Sequence, residues 1–141
     1  MTPIELAYIA GFFDGEGSVG VYCSGKHAHC LLVQLVQNRS KTSQALFDVL
    51  LVTFGGSLTV RRKGKLLAWC VWANRAARFL REVEPYLRIK RAQAVLAAHW
   101  QEGRVKPTHR PDGSVVALST AQKNYDAVMI ATPPKFHLNL I

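Results

Sequence analysis

The stretch AYIAGFFDGEGS, residues 7–18, is typical of a short helix that ends in two acids set among glycines. Asp14 and Glu16 would lie at the negative end of the helix dipole, where a carboxylate is disfavoured by about 0.3–1 kcal/mol. One predicted face of this helix combines small residues with an acid: Ala7, Ala10, Gly11 and Asp14. Because small side chains let another backbone come close, the stretch predicts acids held beside a second copy of the same helix.

The composition indicates one folded, basic domain over residues 1–141. Hydrophobic residues make up 49% of the chain and charged residues 19%, a balance that argues against disorder. The 18 lysines and arginines exceed the 9 acids and give a formal charge of +9, which favours a nucleic-acid partner. A basic protein that binds no polyanion is the alternative on charge alone.

The cysteines and the apolar pattern indicate a protein of a reducing, intracellular compartment. Cys23, Cys30 and Cys70 are odd in number, which a set of paired disulfides does not explain. The first apolar helix carries Glu5 and is not typical of a signal peptide. The sequence holds no run of about 18 apolar residues, so we expect no membrane-spanning segment and no membrane partner.

The periodicity of the sequence predicts the order α-β-β-α-β-β-α-α. Four helices are predicted: one at about 3–14, a second that ends at 54, a third at 75–83 and a fourth at 87–100. Four strands are predicted at 17–22, 30–37, 57–62 and 66–73. The two hairpins would form one four-stranded antiparallel sheet that helices cover on one face, in an α+β fold. The other face would be open to a partner. Residues 103–141 are predicted to form a basic loop and a C-terminal extension, with a short helix near 119–131.

Residues 9–17, IAGFFDGEG, resemble the LAGLIDADG motif of homing endonucleases. Single-motif members of that family act as homodimers, with the two motif helices packed at the two-fold axis. The family's αββαββα order matches the predicted elements over residues 1 to about 102. Gln37, in VQLVQ, resembles a polar position after the family's second strand, and Lys90, in PYLRIKRAQA, resembles a lysine that the family carries.

The resemblance implies a homodimeric, site-specific endonuclease for double-stranded DNA. Glu16 and its symmetry mate would hold Mg²⁺, with Mn²⁺ as an alternative, because two close carboxylates cannot both stay charged cheaply without a cation. Gln37 would position the attacking water, and Lys90 would lower the pKa of that water or neutralise charge in the transition state. The product would be a break with short 3′ overhangs in a long pseudo-palindromic site.

Asp14 is expected to be mainly structural and to lie at the dimer interface with Ala7, Ala10 and Gly11. The resemblance implies that the last acid of the motif, Glu16, is the metal ligand. Family sites usually have Asp at that position, and Glu is one methylene longer. The alternative for both acids is a helix-ending turn of ordinary polar residues.

Side-chain alternation places several polar residues on the outward face of the predicted sheet, where Arg can read guanine and Gln can read adenine. Lysines at turn tips suit phosphates, which position a protein without reading sequence. The predicted DNA contacts are Tyr22, Ser24, Lys26, Gln34, Thr59, Arg61, Lys63 and Lys65. A solvated polar face is the alternative. Two apolar sets alternate in the fourth strand, and the pattern does not show which faces DNA: Leu67, Trp69 and Val71, or Ala68, Cys70 and Trp72.

Two other functions fit parts of the sequence. Four potential zinc ligands lie close together: Cys23, His27, His29 and Cys30. Their spacing, C-x3-H-x-H-C, is not a familiar structural zinc pattern, so ordinary hairpin residues are favoured. A non-cleaving nucleic-acid binder of the same fold, an RNA maturase or a DNA-binding regulator, is the second alternative. Such relatives typically lose the acids or the lysine, whereas Glu16 and Lys90 are present here. We expect no small-molecule substrate.

Overall fold

The computed structural model describes residues 1–23, 29–103, 108–109 and 115–116, and the predicted α+β order is confirmed. The helices described are α1 (Pro3–Glu16), α2 (Lys41–Phe54), α3 (Ala73–Val83) and α4 (Arg91–Glu102). The strands are β1 (Gly17–Cys23), β2 (His29–Asn38), β3 (Ser57–Arg61), β4 (Leu66–Trp72), β5 (Thr108–His109) and β6 (Val115–Val116). A 3₁₀ turn, Glu84–Tyr86, follows α3. Among the helices described, none has both the length and the apolar character that crossing a bilayer requires.

Strands β1 to β4 form the predicted four-stranded antiparallel sheet, in the order β1-β2-β4-β3. The central strands β2 and β4 are paired so that Leu35 lies opposite Trp69. Strands β5 and β6 form a separate two-stranded ladder within the segment predicted to be a basic loop. The rest of 104–141, including the helix predicted near 119–131, lies outside the described residues.

The core is built around the ring of Phe79 in α3. Its centroid lies 5.2 Å from the rings of Phe54 and Trp69 and 5.4 Å from that of Phe13. Edge-to-face contacts of this kind add about 0.5–1.5 kcal/mol each to the burial of the rings. Helices α1, α2 and α3 therefore meet over one face of the sheet. Among the described helices none packs on the opposite face, which we call the open face.

Alternation along β4 decides which of its side chains face the helices. Trp69 packs against Phe79 on the helix side. The set that faces the core is therefore Leu67, Trp69 and Val71. The set on the open face is Ala68, Cys70 and Trp72. This strand thus contributes a mainly apolar band to the open face.

Helix α1 ends two residues later than predicted, at Glu16, because the break comes at Gly17 (φ −81°, ψ 159°). A Cβ atom at residue 17 would lie 2.0 Å from the ring of Phe13. Only glycine therefore lets β1 leave the helix directly beneath that ring. Since Phe13 is fully buried, this contact fixes Glu16 at the junction between helix and sheet.

Helix α4 begins at Arg91, four residues later than predicted, because residues 87–90 form an irregular turn. The backbone N–H groups of Arg88 and Lys90 donate to the carboxylate of Asp14. These contacts hold the turn outside a helical geometry, so Lys90 directly precedes α4 instead of lying within it. The other predicted boundaries lie within two residues of the observed ones.

Candidate active site and nucleic-acid interface

A cleft of about 550 Å³ opens at the end of the sheet where α1 meets β1. Three of its lining residues are far apart in the sequence: Glu16, Gln37 and Lys90. Glu16 is the last residue of α1, Gln37 lies near the end of β2, and Lys90 directly precedes α4. The fold thus brings together the three side chains predicted to be catalytic, and their catalytic roles stay predictions.

The carboxylate of Glu16 is exposed, and no hydrogen bond or ion pair engages it within the described residues. The last turn of α1 holds no basic residue. The negative end of the helix dipole and the nearby Asp14 therefore add to the charge of Glu16. This negative spot lies in a chain whose net charge is +9, and it suits a cation.

Lys90 is buried, with 6% of its surface exposed, and its Nζ donates to the backbone carbonyl of Asp14. Burial lowers the pKa of Lys90 below its ordinary value, while the negative charges of Asp14 and Glu16 oppose that shift. A desolvated ammonium interacts strongly with negative charge that develops nearby, because little water screens it. Lys90 can therefore act on an anionic group in the cleft.

Asp14 faces its own chain. Its Oδ2 accepts from the backbone N–H of Arg88 (2.8 Å) and its Oδ1 from that of Lys90 (2.9 Å). Burial raises the pKa of Asp14, but the backbone hydrogen bonds from this turn and the charge of Lys90 outweigh it, so the pKa lies below its ordinary value. Both carboxylate oxygens thus bind the 87–90 turn of the same chain, and the predicted place of Asp14 at a dimer interface stays a prediction.

Gln37 lies on the helix side of β2, opposite Leu67 of β4. Its Oε1 accepts from the backbone N–H of Asn38 at 2.8 Å, so the amide nitrogen is left as the group that can donate to a ligand. The residue also lines a second depression, between α1 and α2, together with Tyr8 and Phe12. Gln37 therefore lies between the cleft and the exposed side of α1.

The polar residues predicted to contact DNA share the open face of the sheet wherever they are described. The register pairs Gln34 with Cys70, Thr59 with Ala68 and Arg61 with Leu66. Thr59 and Arg61 are exposed, and Arg61 and Gln34 also line the cleft. The open face is therefore continuous with the cleft.

Gln34 is only 6% exposed, yet no hydrogen bond engages its amide within the described residues. Buried amides are normally hydrogen-bonded, so this side chain suits a ligand from outside the chain. The backbone of Tyr22 is paired with that of Cys30 in the β1–β2 ladder. Its side chain lies outside the described residues, as do Ser24 and Lys26.

The turn between β3 and β4 presents cations beside the cleft. Lys63 and Gly64 adopt left-handed conformations (φ 55° and 87°), and the N–H of Lys65 donates to the carbonyl of Arg62 at 3.2 Å. This is the geometry of a type I′ turn, which matches the twist of the strands it joins. The predicted phosphate contacts Lys63 and Lys65 are both exposed.

Two further cations near this turn were not predicted. Arg62 is exposed and lines the cleft. The backbone N–H of Arg39 donates to the carbonyl of Lys65 at 2.9 Å, and its guanidinium lies beside Gly64. Arg62 could have been found from its neighbour Arg61, whereas only the strand register brings Arg39 to this turn. We define the basic cluster as Arg39, Arg61, Arg62, Lys63 and Lys65.

Helix α1 is apolar on its exposed side as well as on its core side. Ile9, Ala10 and Phe13 are buried in the protomer. Ala10 is therefore a core residue, and its predicted place at a dimer interface is wrong. The buried face of α1 includes this small residue, which the pattern of small residues had placed on the interface side. The exposed side consists of Ile4 (84% exposed), Tyr8 (63% exposed), Ala7, Gly11 and Gly15.

The two glycines on the exposed side of α1 are not required by the protomer. A Cβ atom at Gly11 or Gly15 would meet no atom within 4 Å. Neither has the left-handed backbone that favours glycine. A glycine inside a helix costs about 0.5–1 kcal/mol relative to alanine. Their small size is therefore explained best by a surface that packs on the helix from outside.

Glu16 is the exposed acid of the cleft that a metal ion could use. No cluster of three or more histidine, cysteine or acidic side chains suited to a metal occurs among the described residues. Of the residues weighed as zinc ligands, His27 and the side chain of Cys23 lie outside that set. A divalent ion bound here would thus take the carboxylate of Glu16 and its other oxygen ligands from outside the described residues, and Mg²⁺ is commonly bound by few protein carboxylates beside phosphates.

No protein-family profile and no curated protein sequence matches the chain. Solved structures do match it. The homing endonuclease I-CvuI, in complex with a DNA target, gives a TM-score of 0.68 at 23% identity, covering 92% of this chain and 82% of that one. The archaeal intron-encoded homing endonuclease I-Vdi141I, complexed with DNA, gives 0.68 at 15% identity, covering 93% and 86%.

A third solved structure carries the motif in its name. The LAGLIDADG homing endonuclease I-SmaMI, bound to cleaved DNA, gives a TM-score of 0.65 at 16% identity, covering 92% of this chain and 44% of that one. Identities this low establish the architecture alone. The chain has the fold of the LAGLIDADG homing endonucleases.

Proposed function

We propose that the protein is a homodimeric, metal-dependent endonuclease that cuts both strands of a specific DNA site and leaves short 3′ overhangs. The observation that carries this proposal is the cleft in which Glu16, Gln37 and Lys90 meet beside the open face of the sheet. An acid, an amide donor and a desolvated lysine that line one cleft suit hydrolysis of a phosphodiester. The DNA complexes of I-CvuI, I-Vdi141I and I-SmaMI add support from the same fold.

Double-stranded DNA fits the charge and shape of the open face. The basic cluster offers exposed cations for phosphates at one end of the sheet. Gln34, Thr59 and Arg61 supply hydrogen-bonding groups on the same face, and Arg and Gln are suited to guanine and adenine edges in the major groove.

A homodimer is supported by the exposed side of α1. This side combines Ile4 and Tyr8 with the two glycines that the protomer does not require. A second α1 packed on it at a two-fold axis would bury the apolar side chains and bring the two Glu16 residues toward each other.

Glu16 would hold a divalent cation, Mg²⁺ or Mn²⁺, together with its symmetry mate. When bound, such an ion polarises the scissile phosphate and favours hydroxide at neutral pH. Two side chains of the protein would orient the reacting groups and stabilise charge. The amide nitrogen of Gln37 donates to the attacking water and orients it, and the ammonium of Lys90 stabilises negative charge that develops on the phosphate.

Cleavage of a randomised DNA library tests this proposal directly. The purified chain is incubated with the library and Mg²⁺, with Mn²⁺, or with chelator, and the new ends are sequenced. We expect cuts at one family of near-palindromic sites with short 3′ overhangs, only when metal is present. Binding of selected sites without any cleavage would point instead to a non-cleaving binder. Cleavage that persists in chelator would exclude the metal-dependent reaction.

A further inference from the structure

The turn of residues 87–90 depends on a contact far away in the sequence. Lys90 stands at the N-cap position of α4, but its side chain makes no capping hydrogen bond. Within the turn, Ile89 is 77% exposed and provides no packing anchor. The backbone N–H groups of Arg88 and Lys90 donate instead to the carboxylate of Asp14.

Asp14 accepts hydrogen bonds from both the backbone N–H and the side-chain ammonium of Lys90. Its carboxylate accepts from the backbone N–H of Lys90 (2.9 Å), and its backbone carbonyl accepts from the Nζ of the same lysine. Asp14 also lies two residues before Glu16 in the same helix. One residue therefore connects the lysine of the cleft to the helix end that carries the acid.

We propose that Asp14 is a positioning residue, which holds the Arg88–Lys90 turn and so keeps the ammonium of Lys90 beside Glu16. This inference rests on the proposed endonuclease function and deepens it, since it assigns to Asp14 a task in the cleft. The carboxylate of Asp14 acts within its own chain, where each oxygen accepts from one N–H group of the turn.

The number of hydrogen-bond acceptors on residue 14 can be changed by substitution, which tests the proposal. Aspartate offers two oxygens to the two N–H groups, whereas asparagine offers one oxygen and a nitrogen that cannot accept. Asp14→Asn keeps the shape of the side chain but leaves one N–H without its partner. Asp14→Ala leaves both without partners and is the more disruptive variant. Lys90→Met keeps the volume of the lysine side chain and removes the ammonium.

Single-turnover cleavage and DNA affinity are measured for the wild-type protein, Asp14→Asn, Lys90→Met and the double variant. We expect Asp14→Asn to slow cleavage at least about tenfold while DNA affinity changes less than about threefold. In the Lys90→Met background, the same substitution should change the cleavage rate less than about twofold, because the residue it positions is gone. An equal effect of Asp14→Asn in both backgrounds would overturn the proposal.

Hydrogen exchange of the DNA-free protein separates this proposal from the endonuclease function. Asp14→Asn should speed exchange at the Arg88 or Lys90 amide about tenfold or more and leave the amides of β2 unchanged. Unchanged exchange at both turn amides would refute the positioning role even if cleavage falls. If the wild-type protein cleaves no DNA, the endonuclease function fails, while faster exchange in the variant still establishes that Asp14 holds the turn.

Discussion

Asp14 and Glu16 are two acids of one helix end with different surroundings. Asp14 is turned toward the 87–90 segment, where two backbone N–H groups stabilise its charged form. Glu16 follows by two residues, which on a helix is a rotation of about 200°, and it opens into the cleft. The Gly17–Phe13 contact holds it there. The difference in role between the two carboxylates thus comes from the position of the helix end.

Glu16→Gln is expected to abolish cleavage and keep DNA binding. The amide has nearly the shape of the carboxylate but lacks the charge that holds a divalent cation, so we expect the cleavage rate to fall at least about a thousandfold. Gel-shift affinity and single-turnover cleavage measure the two effects separately. Asp48→Asn is the matched control, because Asp48 is exposed on α2 and accepts only from Gln44. Near-normal cleavage by Glu16→Gln would remove Glu16 from the mechanism.

Among the elements of secondary structure, the β3–β4 hairpin carries most of the basic cluster. Its type I′ turn puts Lys63 and Lys65 at an exposed tip, and Arg39 adds a cation through its contact with the same turn. Side chains at a tip touch phosphates rather than base edges. In the proposed complex with DNA, the hairpin would therefore supply affinity that depends on salt and little on sequence.

Lys63→Ala and Lys65→Ala are each expected to weaken binding to all DNA sequences alike. Each should also reduce the slope of log affinity against log salt by about two, since the proposed homodimer loses one phosphate contact in each protomer. Fluorescence anisotropy over a salt series measures both quantities. Arg78→Ala is the control, because Arg78 lies on α3 and pairs with Glu82 on the helix side. A slope that stays unchanged in both lysine variants would contradict the assignment.

Helices α3 and α4 are tied together by Arg81. Its guanidinium donates to both oxygens of Glu102, from Nε at 2.7 Å and from Nη2 at 3.0 Å, and to Glu84 from Nη1 at 3.2 Å. The hydrogen bonds from Arg81 lower the pKa of Glu102, although burial opposes this slightly. A carboxylate with a lowered pKa stabilises the fold above its ordinary pKa and loses that contribution as pH falls through the lowered value.

Glu102→Gln is expected to lower the free energy of unfolding by about 0.5 kcal/mol at pH 7, a modest amount because the pair is half exposed. The difference from the wild-type protein should shrink as pH falls below about 4.3, the ordinary pKa of glutamate, and vanish once the native carboxylate is protonated. Urea unfolding at several pH values measures this. A difference that stays constant from pH 7 to pH 3 would exclude the ion pair as its cause.

The elements were predictable where local patterns decide them, and the site only in part. Hydrophobic alternation located the four strands to within one residue. The start of α4 was not predictable, because Asp14, far away in the sequence, binds the 87–90 turn. The position of Arg39 beside the hairpin was not predictable either, because only the pairing register of the strands brings it there. Ala10 was misassigned because a small residue suits a core and an interface equally well.

The whole molecule has an apolar helix that is covered on one side only. The core side of α1 packs on the sheet, whereas Ile4 and Tyr8 on the other side are 84% and 63% exposed. A helix that is apolar all round is normally buried all round. At this scale, the proposed two-fold assembly completes both the burial of α1 and the pairing of the Glu16 residues.

Gly11→Leu is expected to separate the proposed dimer without unfolding the protomer. The position has open space in the protomer, and leucine is a better helix former than glycine by roughly 0.5–1 kcal/mol. Sedimentation should give a dimer for the wild-type protein and a monomer for the variant, with unfolding of the monomer no easier. Ala45→Leu on the exposed face of α2 is the control and should stay dimeric. A dimeric Gly11→Leu would exclude this face of α1 as the contact.

The exposed side of α1 also determines how the cutting capacity of the proposed dimer depends on the concentration of the chain. With the assembly proposed here, a newly made chain carries half of a cutting site and does no complete cut until it meets another. At low expression the number of complete sites rises with the square of the chain concentration, so a twofold change in synthesis changes cutting capacity about fourfold. In the proposed assembly, the apolar outer side of α1 would therefore set a concentration threshold below which little DNA is cut.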